Sequence, residues 1–204
     1  MRCTRSRTCV CIFLLASLSF RLGDRGRYVA SIRLYPRMID WTKSTDIQAM
    51  LVSLPDGEFQ SELRVFAIEC ACRVLAHLPE PEFASALDMS RKFAMGDCTT
   101  EELDLFVDAA SALLDPHVDV PTTRDFAGSA VVDASSVHPS NSQKTAGSVT
   151  CALQASACAA ADAVADNEYD SVYNATVIAE SKIQCELLRS QIPNPQRKKR
   201  DITM

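Results

Sequence analysis

Asp104 and Asp108 stand four residues apart, just after Glu101 and Glu102. Carboxylates at that spacing share one face of a helix, where a pair can bind a cation or act as an acid and its base. The competing account is a solvated helix face, which is the commoner use of such acids and serves equally for Glu80/Glu82 and Asp162/Asp166. Cys70-x-Cys72 resembles half of a metal clip. Residues two apart on a helix point about 200° away from each other, however, so these thiols cannot grip one ion without local unwinding. Cys151 and Cys158, seven apart, do share a face, but their Ala-rich surroundings mark them as core. His77, His117 and His138 are scattered over a helix end and loops, and His77 at the end of its helix complements the dipole. The chain contains no G-x-G-x-x-G, no phosphate-binding G-x-x-x-x-G-K-[ST] and no H-E-x-x-H. No Cys-His-Asn or Ser-His-Asp arrangement can be assembled either. No catalytic, cofactor-binding or metal-ligating residue is therefore assigned.

The elements that must carry these residues read as helices. Ser44 or Thr45 can cap a short helix from Asp46 to Leu54, ended by Pro55, Asp56 and Gly57. Phe59, Leu63, Phe66, Cys70, Val74 and Leu78 recur at threes and fours, which predicts a core helix over 58–78. Pro79 and Pro81 precede another over 82–95, stopped by Gly96. Thr99-Thr100-Glu101-Glu102 is a capping box, in which Thr99 and Glu102 each satisfy an orphan amide at the other, and opens a helix to Leu114. Residues 115–122 and 138–148 read as loops flanking a weaker Ala/Val-rich helix near 123–136. An Ala-, Ser- and Cys-dominated helix over 145–165 has side chains small enough for close helix approach. A last helix spans 168–191, before Pro193 and Pro195. The expectation is an all-α single domain of six or seven helices, a bundle or stacked helical hairpins.

Charge divides the chain. Residues 1–37 hold eight Arg against Asp24 alone, a net of +7, whereas 38–204 hold 13 Lys+Arg against 25 Asp+Glu. With the basic run Arg197, Lys198, Lys199, Arg200 set aside, residues 38–196 carry nine bases against 24 acids, a net of −15. The expected division is a basic leader over 1–37, an acidic helical domain over 38–195 and a basic tail over 196–204. Three origins suit the leader. Its arginines followed by the apolar stretch 9–20 resemble a signal peptide, its continued arginines suit a transit peptide, and translation could instead begin at Met38. A start at Met38 implies a cytoplasmic protein; a signal peptide implies an exported one. Six of the nine Cys lie in the body; a helical domain of this size needs no staples, so reduced, buried thiols are expected over disulfides. No run of eighteen apolar residues marks a membrane span.

Four stretches carry a resemblance: Asp40-Trp41-Thr42-Lys43-Ser44-Thr45-Asp46; Leu63-Arg64-Val65-Phe66-Ala67 leading to Cys70-Ala71-Cys72-Arg73; Ala94-Met95-Gly96 before Thr100-Glu101-Glu102-Leu103; and Gln184-Cys185-Glu186-Leu187-Leu188-Arg189 with Asn194-Pro195. Together they resemble a family of uncharacterised bacterial helical proteins with a W-x-x-[ST]-x-D opening, an LRLFAxAxCRR-type helix and a Q-x-x-LLR-x-x-x-NP ending. The resemblance covers about residues 38–195 and so favours Met38 as the start. This chain departs from the pattern at Val74, where a second base is expected, and at Gln196, where an aromatic is. In general character it is also similar to immunity proteins of bacterial toxin systems, which are small, helical and acidic. The family implies no activity and no catalytic residues.

A body of net −15 repels a phosphate backbone, which argues against nucleic acid, and steers toward a basic protein surface. The expected function is a non-enzymatic protein-binding module, immunity-like or regulatory. Trp41, Asp104 and Asp108 are its candidate partner contacts, with Trp41 a docking anchor for the N-terminal segment, and Arg64 and Arg73 are framework contacts. The alternative is a metal-dependent enzyme or metal-binding protein using the carboxylates around Asp104 and Asp108. No cofactor and no oligomeric state are implied.

Overall fold

Among the described residues, seven α-helices and one 3-10 turn follow from local signals that start and stop each element. The computed structural model describes residues 39–192 and 195, with 56, 116 and 137–141 outside the described set. The basic leader, Met38, His138 and the tail over 196–204 therefore lie outside the described residues. The order is α1 (Ile47–Val52), α2 (Gln60–Cys72), the 3-10 turn Leu75–His77, α3 (Pro81–Met95), α4 (Thr100–Ser111), α5 (Thr123–Ser135), α6 (Ser142–Asp162) and α7 (Tyr169–Gln191). Among the described residues there is no strand, so the domain is all-α. No helix among them is long and apolar enough to cross a membrane.

The caps explain most boundaries. The Thr99–Glu102 box forms as expected: the Thr99 amide donates to Glu102 Oε2 at 2.8 Å, and the Glu102 amide to Thr99 Oγ1 at 3.2 Å. At α1 the cap is Asp46 rather than Ser44 or Thr45. Its Oδ1 accepts from the Ala49 amide at 3.0 Å, while Ser44 Oγ accepts from the Asp46 amide and folds the chain into that cap. Gly96, at φ 81°, closes α3 in the left-handed conformation that suits glycine, and the Asp97 amide reaches back to the Lys92 carbonyl at 2.8 Å.

Three expectations are corrected. The helix expected over 58–78 ends at Cys72 and gives way to the 3-10 turn, because Leu78 precedes Pro79 and takes the extended conformation (φ −120°, ψ 101°) that a proline imposes on its predecessor. Phe59, expected inside that helix, is its left-handed N-cap at φ 61°, a strained position for a bulky residue that is offset by burying its ring. Residues 142–144, expected as loop, and 145–148, where the expected loop and helix overlapped, are the first turns of α6. The Gly147 that suggested a loop marks close approach instead: a Cβ there would lie 3.2 Å from Asp133 Oδ2 on α5.

α2 is the central element, touching α3, α5, α6 and α7. Its Leu63, Phe66, Ala67, Ile68, Cys70 and Ala71 are all buried, and each large apolar side chain among them contributes about 1.5–3 kcal/mol. The α5–α6 pair is built from small residues. Ala127, Ala130 and Ala134 on one helix and Ala152 and Ala155 on the other are buried, and Ser148 Oγ donates to the Ala130 carbonyl at 2.8 Å. Alanines bring two helix backbones near enough for such a bond.

Candidate functional site

Three arginines, Arg64, Arg73 and Arg189, tie separate elements of the fold together. Arg73, at the end of α2, forms a two-pronged bridge to Glu180 of α7, with Nε to Oε1 at 2.7 Å and Nη2 to Oε2 at 2.8 Å. The paired carboxylate keeps the Arg73 guanidinium above its usual pKa. Arg64 is buried, lies 4.7 Å over the Phe93 ring and donates to the Ser136 carbonyl at 3.2 Å; burial lowers its pKa. Arg189 donates from Nε to the Trp41 carbonyl at 2.9 Å and from Nη2 to the Ser44 carbonyl, tying the opening segment to α7. Both arginines expected as framework residues have that role.

Trp41, 4% exposed, belongs to the core. Its ring fixes the N-terminal segment and presents nothing to a partner. Asp104 and Asp108 are both exposed on α4. Cys70 and Cys72 diverge as the helical geometry requires, Cys70 into the core and Cys72 toward Arg91, whose Nη2 lies 2.7 Å from its sulfur. Burial pushes the Cys70 thiol well above its ordinary range and Cys151 up to about 12. Cys70, Cys72, Cys98, Cys151, Cys158 and Cys185 are all free thiols. Among the described residues, no group of three or more His, Cys, Asp or Glu stands close enough to hold a metal ion. His77 sits at the end of the 3-10 turn and His117 in the loop after α4.

The surface around α4 stands apart from the rest. Between Lys92 and Arg124 the chain has no Lys or Arg and seven acids: Asp97, Glu101, Glu102, Asp104, Asp108, Asp115 and Asp119. All seven are exposed. None forms an ion pair among the described residues, whereas Arg91, Arg73 and Arg124 outside the stretch are each engaged by a carboxylate. Glu101, Asp104, Leu105 and Asp108 follow one another at threes and fours and so line one side of the helix. Large apolar side chains are interleaved with the acids: Met95 is 68% exposed, Leu105 70% and Val120 62%, with Phe106 and Val118 also in contact with solvent.

The sequence singles out Asp104 and Asp108 as a carboxylate pair but does not show this setting. The absence of bases from 93–123 was readable, and so was the Thr122–Asp125 capping box that starts α5, where the Thr122 amide donates to Asp125 Oδ2 at 2.8 Å and the Asp125 amide to Thr122 Oγ1 at 3.4 Å. The apolar half of the surface was not readable, because Leu105 and Phe106 look like core positions until the neighbours of α4 are known. Comparison of the chain with protein-family models, curated proteins and solved structures finds no match in any of the three.

Proposed function

We propose that this protein is a non-enzymatic binding module that docks the α4 face on a basic protein surface. The observation that carries the reading is the unpaired row of seven exposed acids with apolar side chains set among them. Unpaired carboxylates raise the rate of encounter with a cationic partner, and exposed Leu105 and Phe106 supply area that only a bound partner would withdraw from water. A nucleic-acid enzyme with a cationic groove presents the complementary surface, and covering that groove is an immunity-like or regulatory role.

The test is capture through a C-terminal tag from the native host at low salt, followed by a salt gradient and by reconstitution with the purified partner. A basic protein should be retained and released steeply as salt rises, and the variant carrying both Asp104→Asn and Asp108→Asn should bind it with a slower association rate and a shallower salt dependence. Recovery of the chain alone, or equal retention by the double variant, would overturn the proposal.

A further inference from the structure

Where α4 ends, the chain folds over α5 and leaves a cleft of about 150 Å3. Its walls are Leu114, Val118, Pro121 and Phe126, with Ser129 and Cys151 also lining it. Two carboxylates, Asp115 and Asp125, complete the lining. Asp125 is committed to the α5 capping box and lies 4.0 Å from Arg124 Nη1, whereas the exposed Asp115 accepts the His117 amide through Oδ1 at 2.8 Å and, among the described residues, forms no ion pair, so it retains capacity for a cation. The cleft follows the acidic row directly, and Asp115 belongs to both.

We infer that this cleft is the anchor subsite of the α4 face, taking one leucine-sized aliphatic side chain from a partner segment whose flanking residues are Lys or Arg. The inference rests on the docking reading above and deepens it. Size sets the aliphatic part: a cavity of about 150 Å3 lined by aliphatic and aromatic side chains accepts a benzene-sized guest, close to the bulk of a Leu side chain. Charge sets the flanks, since Asp115 lines the cleft, the exposed Asp119 follows the lining Val118 in sequence, no base lies between Lys92 and Arg124, and Arg124 itself is engaged by Glu80. Interfaces concentrate their affinity where one side chain fills a desolvated pocket inside a polar rim. Cys151 contributes surface only, because burial keeps its thiol protonated.

The test measures binding of the full chain, under reducing conditions and low salt, to fluorescent pentapeptides by anisotropy. The probes are acetyl-Lys-Arg-Leu-Lys-Arg-amide, the same peptide with Ala at the centre, and the same peptide with Glu at the four flanks. The Leu peptide should bind about tenfold more tightly than the Ala peptide, from three more carbons buried in an open cleft, and the Glu-flanked peptide should not bind. Ser129→Leu, which fills the cleft from α5, should erase the preference for Leu while leaving salt-sensitive binding of both basic peptides. Val118→Ser, in the loop and away from the core, should reduce the same preference and guards against misfolding of the first variant. Equal binding of the Leu and Ala peptides would overturn the anchor subsite and leave the acidic face standing. Binding of the Glu-flanked peptide would also overturn the inference, and failure of both basic peptides to bind would remove the docking reading with it.

Discussion

Replacing Arg73 with Met tests whether the α2–α7 bridge holds the fold. The Glu180 side chain is 7% exposed and both of its oxygens are engaged by Arg73, whose own side chain is 37% exposed. Removing one partner of a fully buried pair costs about 3–5 kcal/mol, because the remaining charge is stranded in a poor solvent, whereas a surface pair is worth about 0–1 kcal/mol. The bridge lies between these limits: water can reach the guanidinium end, while the carboxylate is shielded. The expected loss for Arg73→Met is thus about 2 kcal/mol, or about 4–8 °C in Tm for a domain of this size. Equilibrium denaturation followed by helical circular dichroism would measure it. Adding Glu180→Met to Arg73→Met should restore stability to within about 1 kcal/mol of the parent, since an apolar pair of similar bulk replaces a desolvated ionic one. A loss below about 0.5 kcal/mol for Arg73→Met would refute the reasoning, as would a double variant whose loss equals the sum of the two single ones.

Gly128→Ala should destabilise the fold by about 1 kcal/mol in the same assay, since the added Cβ would lie 2.5 Å from Leu114 Cδ2 and 3.3 Å from the Phe83 ring; a stabilised variant would show that α5 can move away from α3. Glu80 accepts from Arg124 at 2.6 and 3.0 Å, and that bonding holds its carboxyl below the ordinary value of 4.5. A depressed folded value means that its contribution is full above about pH 4.5 and is lost as pH falls through the lowered value, so Arg124→Gln should flatten the acid limb of the stability curve, and an unchanged limb would count against the pairing. Cys70 and Cys151 should resist a thiol reagent at neutral pH in the native chain, with all nine thiols reacting after unfolding in guanidinium; fewer than nine would reveal a disulfide.

Much of the fold was legible because helices are stopped and started locally. The Thr99–Glu102 box, Gly96 and Pro79 each act within a few residues, so the boundaries of α3 and the start of α4 could be placed from the residues alone, whereas α4 ends at Ser111, short of the expected Leu114. The second box at Thr122–Asp125 was equally local and was overlooked in an Ala-rich stretch of weak periodicity. Gly147 misled because glycine serves loops and close helix contacts alike, and only the position of Asp133 distinguishes the two uses.

By itself, then, the sequence determined an all-helical class, the acidic character of residues 38–196 and the shared helix face of Asp104 and Asp108. These depend on propensity, capping and charge counts, which are properties of near neighbours. Tertiary structure decided which charges are spent. Arg73 meets Glu180 across 107 positions and Arg189 meets Trp41 across 148, and no local pattern specifies such partners. It also decided that Trp41 turns inward while Leu105 and Phe106 turn outward. A side chain's exposure is settled by what packs over it, and among the described residues α4 packs chiefly against α3 and α5.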